Sequence, residues 1–187
     1  MTVTTSTNRH IITALVEDKP GVLNRVSSMF RRRGFNIESL AVGKSEIPNL
    51  SRMTFVVEGN AGLVEQASKH LHKLVDVVKV SDVSTINTVT RELSLIRVRA
   101  NVQTRSEIMQ IVDIFRANIV DVSTDSLIVE VTGDEEKIDS LQNLLRSFGV
   151  LEVMRTGAIA LSRGVSGRSD AVGKVAHHPS SLETGSV

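Results

Sequence analysis

The chain has 187 residues, 41% of them hydrophobic and 23% charged, with a net charge of +1. Those values suit a soluble globular protein of one ordinary domain or two small ones. Cysteine is absent, which excludes disulfides, thiol catalysis and cysteine-ligated zinc and agrees with a cytoplasmic location. Residues 1–8 are Thr-rich and uncharged, without the basic region and apolar stretch of a signal peptide, and no apolar run is long enough to span a bilayer. Residues 1–86 carry 11 basic and 8 acidic side chains, and residues 87–163 carry 9 and 11. Neither half therefore has the basic footprint of a nucleic-acid binder.

His10 to Glu17 reads as a strand, after which Pro20 is expected at the first helical position, where its fixed φ fits and its missing N–H is not needed. Val22, Leu23, Val26, Met29 and Phe30 follow at helical spacing, and Gly34 ends the stripe. Arg31, Arg32 and Arg33 oppose the negative end of the helix dipole, so the run reads as helix stabilisation on a solvated face. Phe35 to Glu46 and Leu50 to Glu58 read as strands, the second alternating through Met53, Phe55 and Val57. Asn60 is placed to cap a second helix carrying Leu63, Val64, Ala67, Leu71 and Leu74, and Val75 to Val83 closes the unit as a strand.

The same order returns from Arg91. Leu93 to Val98 is expected as a strand, and Thr104 with Glu107 has capping-box spacing before Ile108, Ile111, Val112 and Phe115. Asn118 to Val122 and Leu127 to Val131 read as a hairpin. Thr132 with Glu135 has capping-box spacing again before Ile138, Leu141, Leu144 and Leu145, and Val150 to Leu161 is expected as one closing strand. The result is an α+β chain of two ferredoxin-like βαββαβ domains in tandem, over 9–83 and 91–163, joined by a polar linker at 84–90. Each is small enough to gain from a partner that helps cover its sheet. Residues 164–187 turn to Gly, Ser and scattered charge and are expected to be a disordered tail.

That topology serves enzymes, RNA binders and ligand sensors alike, so the chemistry must decide. No catalytic or metal site is expected. His70 and His72 are two apart on a helix and face different ways, His177 and His178 fall in the tail, and His10 stands alone. RNA recognition needs aromatics exposed on the central strands, whereas Phe55 alternates with Met53 and Val57 on the expected core face. What remains is the loop from Glu17 to Leu23. Gly21 permits close approach to the backbone, the first helical turn offers free N–H groups to a carboxylate, and Asp18 suits an ammonium group. Val22 and Leu23 add apolar surface, so the loop suits a zwitterionic amino acid with a hydrophobic side chain. Asp-x-Pro-Gly is equally a good helix start.

The segment Leu15–Leu23 (LVEDKPGVL) resembles the first loop of ACT domains, the amino-acid-sensing ferredoxin-like modules. Arg33–Leu40 (RGFNIESL), Asn49–Thr54 (NLSRMT), Leu71–Val77 (LHKLVDV), Arg91–Ile96 (RELSLI) and Leu161–Gly164 (LSRG) resemble the small regulatory subunit of acetohydroxyacid (acetolactate) synthase. The resemblance runs in order from residue 9 to 164. It implies a homodimer through the first ACT domain, a second domain that helps activate a catalytic large subunit, and feedback inhibition by valine. It also implies that thiamine diphosphate, Mg²⁺ and FAD belong to that large subunit, with none held by this chain. Carried over by position, the valine site falls on Asp18, Gly21, Val22 and Leu23 of one protomer and Asn36 and Ile37 of the other. The second repeat departs from the pattern, with Asn101-Val102-Gln103-Thr104 in place of Asp-x-Pro-Gly, so only the first unit is expected to bind an amino acid in this way. The other reading is a stand-alone ACT-type sensor of another enzyme or a transcriptional target.

Overall fold

A computed structural model describes residues 9–84 and 86–164. The Thr-rich start, and the expected tail from residue 165 with His177 and His178, lie outside the described residues. In the first unit, β1 (Arg9–Glu17), α1 (Val22–Arg32), β2 (Ile37–Lys44), β3 (Leu50–Glu58), α2 (Ala61–His72) and β4 (Val77–Asp82) follow one another. The four strands form an antiparallel sheet in the order β2-β3-β1-β4. Alternation along the strands sends Ile12, Ala14 and Val16 of β1, and Met53, Phe55 and Val57 of β3, to one face. There they meet Val22, Val26, Met29 and Phe30 of α1 and Val64, Ala67 and Leu71 of α2. Phe30 and Phe55 pack with ring centroids 5.1 Å apart at the centre of this layer.

Helix α1 ends where its stripe runs out, and its closure aims the next strand. Gly34 takes φ +71, its N–H bonding to Arg31 O at 3.2 Å while Phe35 N–H bonds to Phe30 O at 3.0 Å. This pair of bonds is a Schellman closure, and the edge-on contact of Phe35 with Phe30 is the apolar contact that accompanies it. Glycine is needed here because a Cβ disfavours that backbone region. At the other helix of the unit, Asn60 caps as expected, its Oδ1 accepting the Leu63 N–H at 2.9 Å.

The second unit consists of β5 (Thr88–Arg99), α3 (Arg105–Ile114), β6 (Asn118–Val122), β7 (Ser126–Gly133), α4 (Glu135–Leu145), a 3₁₀ turn (Arg146–Phe148), β8 (Val150–Arg155) and β9 (Ile159–Ser162). Its sheet runs β6-β7-β5-β8, with β9 paired to the first part of β5. Ile96, Val98, Leu127, Val129 and Val131 pack against Ile108, Val112, Ile138, Leu141 and Leu145.

Four local expectations change here. The closing strand breaks into β8 and β9, because Gly157 takes φ +79 between them. The strand expected over Leu93 to Val98 starts earlier, because Thr88–Arg91 gains β9 as a partner. The capping box of α3 lies three residues before Thr104 and Glu107. Asn101 Oδ1 accepts the N–H groups of Gln103 and Thr104, both at 2.9 Å, and Thr104 Oγ1 accepts the Asn101 N–H at 3.1 Å. Helix α4 is capped by Asp134, whose Oδ1 accepts the Lys137 N–H at 2.9 Å, since Thr132 is still within β7. Among the described residues no helix is long and apolar enough to cross a membrane.

Phe30 is 1% exposed and joins α1 to both the sheet and the α1–β2 closure. Phe30→Ala is expected to cost about 3–5 kcal/mol of unfolding free energy, read as a lower urea midpoint.

Candidate functional site

Between β1 and α1 lie only Asp18 to Gly21. Lys19 to Val22 forms a type II turn: the Val22 N–H reaches Lys19 O at 3.5 Å and Gly21 takes φ 88, ψ −12. Pro20 thus fills the second position of a turn and does not start the helix. Its fixed φ suits both places, but Gly21 in the left-handed region cannot continue a helix begun at Pro20. Gly21 is the N-cap of α1 and provides no side-chain cap. A Cβ there would meet nothing within 4 Å, so the space above the turn is open. The N–H groups of Leu23 and Asn24 stand in the first helical turn, which has no internal acceptors for them.

The side chains sort differently from the expectation in one respect. Val22 is 3% exposed and packs into the core, so it offers a ligand its backbone and not its apolar surface. The helical stripe that includes Val26 and Phe30 turns Val22 inward, and Leu23, next on the helix, turns outward at 47% exposed. Asp18 is exposed, with its N–H bonded to Asn49 O at 2.8 Å.

Beneath the turn sits a carboxylate that the sequence did not mark. Asp76 is 1% exposed. It pairs with Arg25 at 2.6 Å and Lys19 at 3.0 Å, and its carbonyl accepts the Glu17 N–H at 2.9 Å. Lys19 also pairs with Glu17. Its pKa is raised by hydrogen bonding to Glu17 first and to Asp76 second. The end of β1, the loop and the first turn of α1 are thereby each tied to the residue just before β4. Asp76 and Arg25 are 51 residues apart in sequence, so no local spacing could have disclosed the pair.

Asn36 is exposed and Ile37 half-buried, directly after the Schellman closure. The structure does not bring these two residues to the loop. Glu17 pairs with Leu50 at one end of β3, and Ile37 pairs with Val57 near the other end, a separation of roughly 23 Å along the strand. The two halves of the expected site thus lie at opposite ends of the sheet. Among the described residues no group of His, Asp and Glu is arranged to hold a metal ion.

Residues 12–79 match the family model of the AHAS small subunit-like ACT domain, and residues 91–164 match that of the small subunit of acetolactate synthase. The probable acetolactate synthase small subunit of Methanothermobacter thermautotrophicus is 56% identical over 156 residues, covering 83% of this chain and 93% of the relative. The acetolactate synthase small subunit of Mycobacterium leprae is 51% identical over 158 residues, covering 84% and 94%. The chain belongs to the acetolactate synthase small-subunit family. The crystal structure of the Thermotoga maritima small subunit agrees in fold, with a TM-score of 0.79 at 44% identity over 84% of this chain and 98% of that one. The first unit is an ACT domain, and membership of this family with such a domain implies a regulatory role.

Replacing Asp76 by Asn leaves the shape but removes the charge that Arg25 and Lys19 face. A loss of about 1.5–3 kcal/mol is expected, the usual range for a hydrogen bond to a charged group, with an unchanged slope of unfolding against urea.

Proposed function

We propose that this protein is the regulatory subunit of an acetolactate synthase, activating a catalytic large subunit and conferring feedback inhibition by valine. The observation that carries the reading is the open turn at Gly21. The first helical turn has no internal acceptors for its N–H groups, a Cβ at Gly21 would meet nothing within 4 Å, and Asp18 and Leu23 are exposed. A carboxylate, an ammonium group and a short branched side chain each find a complementary surface there. In this reading thiamine diphosphate, Mg²⁺ and FAD belong to the large subunit, and the assembly works in the cytoplasm.

The separation of Gly21 from Ile37 argues for a homodimer. β2 is an edge strand. A two-fold copy that laid its own β2 antiparallel alongside would reverse the ends. Its Asn36 and Ile37 would then come to the end of the sheet where this chain's loop lies.

The division of labour follows the same logic: residues 9–83 sense, 84–90 link, and 91–163 serve activation. Asn101 supports it, since its side chain already occupies the N–H groups of Gln103 and Thr104. The corresponding groups of the first unit are left for a ligand. A stand-alone sensor would leave the second half without a use, and that half matches the small-subunit family model over 91–164.

The decisive experiment combines the chain with the large subunit from the same genome and assays acetolactate formation with and without valine. Stimulation by the chain and its reversal by valine are expected. No stimulation would sink the assignment. Gly21→Asp should fold, at a cost of about 1 kcal/mol for a side chain at positive φ. It should abolish valine inhibition, because its carboxylate lies where the ligand's would bind; calorimetry showing undiminished valine binding would refute the site. Light scattering should give at least a dimer, and a monomer in saturating valine would refute the shared site.

A further inference from the structure

The two units touch at Arg9 of β1 and at the strand that begins with Ile37. Ser39 Oγ of β2 accepts the N–H of Ala158 at 3.1 Å. Gly157 lies against it so closely that a Cβ would collide with Ser39 Oγ and come within 3.5 Å of the Leu40 backbone. One residue earlier, Glu38 pairs with Arg9 at 2.7 Å, and Arg9 also pairs with Glu135 at the start of α4. Between Ile37 and Ser39 the pairing of β2 with β3 shifts register, a bulge that re-aims side chains on an edge strand. Beside these contacts the units are parted by a cleft of about 480 Å³, walled by Ile11, Leu40 and Val56 on one side and Arg91 and Arg155 on the other.

The far side of the contact is tied into the second sheet. Thr156 N–H bonds to Leu93 O at 3.0 Å, and Leu93 N–H bonds to Thr156 Oγ1 at 3.1 Å. Thr156 to Ala158 is the segment between β8 and β9, and both strands pair with β5. A displacement of β2 at Ser39 therefore meets a segment that cannot move without its neighbours. With no Cβ at Gly157 to separate the surfaces, the approach is backbone to side chain.

We propose that Ser39 and the Thr156–Ala158 segment form the joint through which effector occupancy at Ile37 reaches the second unit. The proposal rests on the valine-site reading above. Effector bound at Asn36 and Ile37 favours one placement of the β2 bulge. Ser39, two residues on, carries that preference to Ala158 and so to β8 and β9. Ser39 is in this scheme a positioning residue, with no contact to the effector. A ligand shifts such an equilibrium only through its differential affinity for the two placements, so cutting the joint separates binding from response.

The test uses the full chain with L-valine as the probe, reading affinity by titration calorimetry and the second unit by hydrogen exchange over residues 150–162. In the wild type, valine should alter exchange in that window. Ser39→Ala, which removes one acceptor, should keep valine affinity within about threefold while losing the valine-dependent difference. Gly157→Ala, which forces the surfaces apart, should do the same more severely, and Ser39→Ala carries the test alone if that variant does not fold. A purely structural role would change exchange equally with and without valine, and that result would overturn the proposal. So would a Ser39→Ala chain with the full wild-type response, or a wild-type chain that binds valine without any change over 150–162. A wild-type chain that binds no valine overturns the effector reading itself, and the joint falls with it.

Discussion

The register of β1 is the constraint on which the rest of the first unit depends. This strand lies between β3 and β4 and pairs with β3 without interruption from Arg9 opposite Glu58 to Glu17 opposite Leu50. A slip by one residue would turn Ile12, Ala14 and Val16 away from the helices and bring Thr13 and Leu15 under them. Burial of one face thus fixes the register, and the register fixes where the chain leaves the sheet. Glu17 must end beside Leu50, so the turn at Gly21 emerges at that end. Helix α1 then runs back along the sheet, and its Schellman closure delivers Asn36 and Ile37 to the opposite end.

Charge does in the loops what apolar burial does in the sheet. Asp76, almost wholly buried, faces the half-exposed cations of Lys19 and Arg25. Removing a buried carboxylate from water is costly, and it is offset only when the geometry is satisfied. The two ion pairs hold Lys19 of the loop and Arg25 of α1 to the same carboxylate. The second unit repeats the device: Glu92 holds Arg155 through two bonds at 2.8 and 2.9 Å, and Asp139 adds one at 2.7 Å. The Glu92 hydrogen bonds are the larger cause of the raised Arg155 pKa. Both clusters fasten a strand end to an element distant in sequence.

The order of the elements was legible in the sequence because period-2 and period-3.6 patterns are local records of burial. Met53, Phe55 and Val57 alternate in the sequence and are buried together in the structure, and Asn60 caps as its position suggested. What misled was competition between local motifs of similar strength. Pro20 suits a helix start and a type II turn equally, and the positive φ of Gly21 decides for the turn. Thr104 and Asp134 lie among several residues able to cap, and the choice depends on where the preceding strand lets go. The break at Gly157 was signalled only by a glycine within a strand pattern, and the contact of that segment with Ser39, 119 positions from Ala158, is not a local one. At the candidate site the exposed Asp18 and Leu23 and the open backbone at Gly21 agree with the sequence reading, whereas the inward turn of Val22 and the support from Asp76 exist only in three dimensions.

The distance between Gly21 and Ile37 along one sheet has a consequence for how the protein would behave at different abundances. A pocket completed by two chains exists only in the associated fraction, so on the proposed reading subunit concentration enters the binding equilibrium directly. Anything that binds only the assembled form also favours its assembly by mass action. Valine would draw dilute chains together, and half-saturation would fall as the protein accumulates. The sensor's set point would then be a property of expression level as well as of sequence. Two cells with identical subunits in different amounts would throttle the same pathway at different valine concentrations.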